Sequence, residues 1–429
     1  MKQVVVALSS LFISIVLFAS GNAFVNSLLG VRMTLGGVDP MTIGAVLFFF
    51  ALGFVIGSRH AQKIIQRVGH IRAFAVFSAA IAIAAMAYPL SSSMITWGVL
   101  RFASGIAAAG LLMTVESWFS CVASENNRGT LFALYQICFY SAVAGGQLLL
   151  QVAPPQATTP FNIAAILLVA SLIPLAMSRM HSPVLESIEA MPMRDIFREA
   201  PLGIIATVIN GILMSSFYAM APVFTTGTGL SVEQTSIYMA VAILSAMLLA
   251  WPIGYICDRR DRARVMLVVA LIAAVACGAI IALGTIGFVM LCGLTALYFG
   301  LSSSIYAIAV AITHDRMTHN QIVGASATLL TAYGIGSLIG PLLNSALMSV
   351  AGPESFFVAN TCLLAVLLVF IVRDMQRVPA ITPEAQEGFV PISPDVLPVM
   401  AEMDPRNEEY NEEDRTIDDL FQEPEPDPA

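Results

Sequence analysis

Charge is what this sequence lacks most. Only 11% of its 429 residues are Asp, Glu, Lys or Arg, where soluble domains carry about a quarter. With 58% hydrophobic residues and a mean hydropathy of +0.83, neither an aqueous globular fold nor a disordered scaffold describes the chain. Its solvent is mainly lipid. The six cysteines (Cys121, Cys138, Cys257, Cys277, Cys292, Cys362) include no C-x-x-C, so buried free thiols are expected rather than a disulfide framework or a metal site. There is no H-E-x-x-H, no G-x-S-x-G and no close pair of carboxylates within an apolar run; no enzyme chemistry is expected. Gly334-x-Gly336-x-x-x-Gly340 lies inside an apolar run with no strand before it, which argues against a phosphate-cradling loop. No nucleotide-driven pump, cofactor or nucleic-acid partner is expected.

What the sequence has is long apolar runs. A helix crossing hydrocarbon needs about 20 mostly apolar residues, because an unpaired peptide group costs several kcal/mol there. That ruler gives twelve spans, near 4–29, 41–58, 73–90, 94–117, 130–153, 161–179, 202–226, 234–256, 264–284, 286–312, 323–350 and 355–373. Ala19 to Ala23 loosely resembles a signal-peptidase site, but the first run is longer than a signal core and reads as a retained helix.

The few charges are unevenly placed. Residues 1–373 carry 17 Lys/Arg and 12 Asp/Glu, whereas residues 374–429 carry 3 and 16. The net −8 therefore belongs to an acidic tail, expected to be disordered and cytoplasmic; it is either inert or a site for a protein partner. In the body, Arg101 lies inside a span and Arg32 in the first connection, while the other 15 cations sit at the amino terminus, in even-numbered connections or at the last span's end. That asymmetry places both termini in the cytoplasm.

The connection near 181–201 divides the spans six and six, giving expected bundles over 1–180 and 202–373. A slide of 192 residues overlays Gln62-x-x-x-Gln66-Arg67-x-Gly69-x-x-Arg72 on Gly254-x-x-x-Asp258-Arg259-x-Asp261-x-x-Arg264. Two parallel six-helix repeats with a substrate site between them are one transporter plan; two stop-transfer signals that both need cations are the plainer account. The twelve spans, the hinge and G-x-x-x-D-R-x-x-R resemble the major facilitator superfamily, best in the second copy, with Gly254, Asp258, Arg259 and Arg262. Val115-Glu116-Ser117-Trp118, Arg128-Gly129, Gly146-Gln147-Leu148-Leu149, Trp251-Pro252-Ile253-Gly254 and Tyr333-Gly334-Ile335-Gly336-Ser337 resemble its YcaD-like branch. The resemblance implies an all-α integral membrane protein of two pseudo-symmetric six-helix bundles, in a bacterial inner membrane. It also implies basic loops that form cytoplasmic charge networks holding the outward-open state. The first copy, with Gln62 and Gln66 in place of Gly and Asp, is expected to be weaker or rewired.

Arg101 is the most informative residue. It lies about 10 Å into span four at 1.5 Å per residue, where an arginine costs at least ~2.5 kcal/mol. It either faces a partner or wet cavity, or snorkels to the outer interface. Arg101-x-x-x-Gly105 also resembles the superfamily's span-four motif, whose arginine is associated with proton coupling or substrate binding. Glu116, near the other end of that span, reads either as a proton carrier or, as the resemblance to similar carboxylates of the superfamily implies, as part of a cytoplasmic network with Arg67, Arg72 or Arg128. Further candidates share helical faces: Gln136, Tyr140 and Gln147 in span five, and Tyr333 and Asn344 in span eleven. Asn22 and Asn26 stand in span one, Asn210 and Tyr218 in span seven. Each serves a substrate site or an interhelical hydrogen bond.

The reading is a secondary transporter of a small molecule working by alternating access, coupled to protons. A uniporter, an anion exchanger using Arg101, or a receptor signalling through the tail would share most of these features.

Overall fold

A computed structural model describes residues 2–122, 128–177, 190–283, 287–318, 321–379, 381, 382, 386, 388 and 389. Among these there is no strand, and twelve helices are long and apolar enough to cross a membrane. In order they are Leu8–Leu35, Pro40–Val68, His70–Leu90, Met94–Phe119, Gly129–Gln151, Thr159–Ala176, Pro201–Gly227, Val232–Cys257, Arg262–Leu283, Phe288–His314, Gly324–Ala351 and Ser355–Arg377, called spans one to twelve below. Several outrun their apolar stretch. Span two continues as helix to Val68 because its last turns, rich in Arg, Lys and Gln, leave the apolar slab without breaking helical hydrogen bonds.

Local chemistry sets the ends. Asp39 caps span two by accepting from the Thr42 amide at 3.0 Å, with Pro40 in the first turn. Ser231 and Gln234 form a reciprocal capping box at the start of span eight. Span six is interrupted between Ala170 and Leu172, where Pro174 cannot donate to the carbonyl four residues back.

The two halves repeat one another's packing. Spans one and five, two and four, and three and six pack together in the first half; spans seven and eleven, eight and ten, and nine and twelve do so in the second. The halves meet through spans one and seven, two and eleven, and five and eight, pairs that exchange under the same repeat. The connection between the halves is described only from residue 190. There the short helix Met193–Glu199 lies on the second half, its Ile196 packed with Ile204, Tyr306 and Leu329, and the Met191 amide donates to the Gly324 carbonyl at 3.2 Å.

Call the end of the bundle that holds Lys2 and Arg377 the basic end. Arg32 is the exception at the far end. It is held there by the carbonyls of Pro155 and Ala157 at 3.2 and 3.1 Å and by the ring of Phe161, so it ties the first connection to the fifth. At the carboxyl terminus, span twelve continues past 373: Asp374 is buried and binds Arg316 at 2.7 Å. The acidic stretch from 390 lies outside the described residues.

Candidate functional site

Span four is drawn against span two by glycine. A methyl group on Gly105 would sit 2.2 Å from the Phe50 carbonyl, and one on Gly53 2.1 Å from the Phe102 carbonyl. Two backbones in contact leave no room for any other residue. This approach lays the Phe50 ring under the Arg101 guanidinium, 4.2 Å from its carbon to the ring centroid. One Arg101 amino group donates to Asn26 Oδ1 of span one. Arg101 is 2% exposed, and its Nε–H is buried. The buried Tyr88 hydroxyl lies beside the Arg101 guanidinium, with Ser104 as its other polar neighbour. The snorkelling alternative is overturned: the side chain turns inward, where an amide and a ring replace water.

Arg101 borders a cavity at the interface of the halves, offering about 190 Å³ to the centres of water molecules. Asn22, Asn26 and Ser27 of span one line it, with Gln147 of span five, Tyr218 of span seven and Tyr333 of span eleven. Phe18, Phe50, Phe54 and Phe139 make its apolar wall, and Ser215 and Ser337 its second-half hydroxyls. Ser27 donates to Gln147 Oε1 at 2.5 Å, locking that amide's orientation. Among the described lining residues Arg101 is the one charged group, and none is a carboxylate.

Four other candidates lie elsewhere. Asn210 is wholly buried and donates to the Ser302 carbonyl at 2.7 Å, pinning span seven to span ten. Asn344 donates to Ser216 Oγ at 2.8 Å, pinning span eleven to span seven. Gln136 is buried but not in the cavity wall, and Tyr140 packs edge-on against Phe139 behind it. In a helix packed on several sides, a shared polar face does not say which neighbour it meets.

The cavity is closed at the far end. A methyl group on Gly44 of span two would lie 2.3 Å from Ser345 Cβ and 2.8 Å from the Pro341 carbonyl of span eleven. Gly30 of span one faces Pro222 and Val223 of span seven. Gln151 donates to Ser236 Oγ at 2.9 Å, and Ser236 to the Gln147 carbonyl at 2.8 Å, joining spans five and eight. Nearer the basic end the halves still touch, through Ser141 and Met247 at 3.6 Å and through Val55 beside Gly334.

At the basic end the two copies of the repeated loop differ. In the first, Gly69 turns the chain at φ +82°, and Arg67 and Arg72 are exposed, with no ion pair among the described residues. Glu116 does not reach them. It is wholly buried within the first half and accepts from the Tyr135 hydroxyl at 3.0 Å. The expected pairing with Arg67 or Arg72 is therefore corrected, because span four points this carboxylate at span five. The side chain of Arg128 lies outside the described residues. In the second copy, Arg262 is buried against Asp315 at 2.6 Å and the Ala311 carbonyl at 3.2 Å. Arg259 stacks on Tyr255 with 3.6 Å from guanidinium to ring centroid, and Arg264 reaches Asp261 at 3.4 Å. Asp258 accepts from the Phe389 amide at 2.8 Å, while the Phe389 ring covers Gly254. Asp315 and Asp374, the carboxylates that complete this end, carry no motif of their own. Among the cysteines, Cys257, Cys277 and Cys292 are buried, but Cys138 is only partly so and Cys362 is exposed. No group of His, Cys, Asp and Glu among the described residues is arranged to hold a metal.

Comparisons with known proteins agree with this architecture. The family model described as Major Facilitator Superfamily matches residues 11–317. The uncharacterized MFS-type transporter YE1530 of Yersinia enterocolitica is 28% identical over 86% of this chain and 96% of its own length. The uncharacterized MFS-type transporter YcaD of Escherichia coli is 25% identical over 83% of this chain and 93% of its own length. Among solved structures, the nucleoside transporter NupG superposes with a TM-score of 0.71 at 14% identity, covering 87% of this chain and 99% of that one. A bacterial homolog of the human lysosomal transporter Spinster, inward-facing and unoccupied, gives 0.72 at 13% identity over 86% and 96%.

Proposed function

Because the chain belongs to the Major Facilitator Superfamily and is a membrane transporter of that type, we propose that it carries a small molecule through the cavity beside Arg101 by alternating access. The observation that carries this reading is the cavity between two repeated halves, shut at the far end by the Gly44–Ser345 contact. Tilting the halves about the cavity would part that contact and close the basic end instead. On the positive-inside rule the basic end is cytoplasmic, so the conformation described is the inward-facing one, in a bacterial inner membrane. The bundles then correspond to residues 1–180 and 202–373, with 181–201 as the hinge and 374–429 as the tail.

Transport coupled to protons is the first reading of the energetics. Glu116 is the carboxylate to carry the proton: it is buried, sits on the same helix as Arg101, and is hydrogen-bonded to Tyr135, so a proton gained or lost there changes how spans four and five pack. The absence of any carboxylate among the described cavity-lining residues favours a second reading, anion exchange on Arg101. Proteoliposome uptake of labelled metabolites, with and without a pH gradient, separates the two. Equal rates remove proton coupling, and no movement of any solute removes transport. In a cysteine-free background, Arg67→Cys should react with impermeant maleimide in inverted vesicles and not in intact cells; the reverse pattern would invert the orientation.

A further inference from the structure

From the distribution of charge and hydrogen-bonding groups in the cavity, we infer that its ligand is an organic monocarboxylate with an apolar, flat body and no ammonium group. The inference rests on the transport reading of this cavity and names the chemical class that the cavity accepts. Arg101 sets the sign. A guanidinium taken out of water needs a counter-charge, and the described wall supplies none. Asn26 occupies one amino group through its oxygen, and Phe50 covers one face of the plane. The Nε–H is buried, and the Tyr88 hydroxyl lies beside the guanidinium. A guanidinium that borders a cavity whose described wall holds no carboxylate is a position for an anion.

The neighbouring amides complete that corner. The oxygen of Asn26 is turned to the guanidinium, so its NH₂ group remains as a donor. Asn22 stands one helical turn before it on the same face of span one and lines the same cavity. Arginine with two amide donors suits the planar, two-oxygen geometry of a carboxylate. A dianionic phosphonate would bring a second negative charge with no second cation to meet it. A zwitterion would bring an ammonium group with no carboxylate to receive it, and an organic cation would meet Arg101 directly. The remaining wall, with Phe18, Phe54 and Phe139, fits an apolar body.

Four probes of one shape test the class: phenylacetate, phenylacetamide, phenethylamine and benzylphosphonate, titrated calorimetrically into the purified full-length protein. Phenylacetate should bind more tightly than phenylacetamide by roughly ten- to a hundredfold, the usual worth of a charged hydrogen bond, with phenethylamine and benzylphosphonate weaker still. Arg101→Gln should reduce the carboxylate-to-amide ratio to about one, while Arg101→Lys keeps a smaller preference. The wild-type ratios alone decide the matter if the variants do not fold. Equal affinity for acid and amide, tighter binding of the amine or the phosphonate, or no binding of any probe would overturn the inference. Flux assays of the same probes in proteoliposomes keep the two proposals apart. Binding of phenylacetate without flux would leave the ligand class standing and sink transport, whereas equal flux of acid and amide would do the opposite.

Discussion

Gly44→Ala places a methyl group where the two halves meet at the far end. The new carbon would lie 2.1 Å from Ser345 Oγ, 2.3 Å from Ser345 Cβ and 2.8 Å from the Pro341 carbonyl. Ordinary carbon contacts need about 3.5 Å, so spans two and eleven must separate by roughly 1 Å; rotating the Ser345 hydroxyl cannot relieve a clash with its own Cβ. Overpacking of this kind costs about 1–3 kcal/mol. The clash lies between halves and not within one, so the cost falls on the conformation closed at the far end. A bias of that size moves a two-state equilibrium by about 5- to 150-fold. The assay is alkylation of Ser337→Cys, in the cavity wall, by an impermeant maleimide added to intact cells in a cysteine-free background. The parent should be protected and the Gly44→Ala variant should react faster by a factor in that range. Adding Ser345→Gly removes the two nearest clashes and should restore most of the protection, leaving only the Pro341 carbonyl. Unchanged labelling in Gly44→Ala, or no recovery with Ser345→Gly, would refute the assignment of this contact to a closing surface.

Other expectations concern the basic end and the second span. Arg262→Ala breaks the buried ion pair with Asp315 and should destabilise by about 3–5 kcal/mol, whereas Arg67→Ala, on an exposed residue, should stay within about 0.5 kcal/mol; thermal denaturation in detergent that ranks them equally would contradict this. Asp39→Ala removes a helix cap and should cost about 1 kcal/mol at neutral pH. Hydrogen bonds from the Thr42 side chain and amide hold the Asp39 carboxyl below its ordinary 3.8. Its stabilisation is therefore complete above that value and lost as the pH falls through the lower folded one, so the melting gap between wild type and Asp39→Ala should be open at neutral pH and shrink in strong acid.

The membrane architecture was legible because lipid leaves few options. Apolar length sets the number of spans, and the scarcity of cations makes the placement of each one informative. The exception is as instructive: Arg32 broke the charge rule because two carbonyls and a ring hold it at the far end. Arg101 stood out because an arginine at its depth needs a partner. Which partner was not legible, since Phe50 is the kind of residue that also faces lipid or a neighbouring helix, and only the Gly53–Gly105 approach brings it to the guanidinium. The amides show the converse. Asn22, Asn26, Asn210 and Asn344 look alike in an apolar run, yet two line a cavity and two pin helices together. Glu116 was expected at the loop because its helix ends there, but helical phase turns it into the first half, onto Tyr135.

Phe389 gives the chain past span twelve a fixed mooring. Its amide holds Asp258 and its ring lies over Gly254, both on the second half, so the chain beyond it starts from that half and not from the seam. If the halves rock, that point swings against the first half like the needle of a gauge. A fluorophore joined beyond Phe389 and a second on the exposed turn at Arg72 would turn each cycle into a change of distance that light can follow.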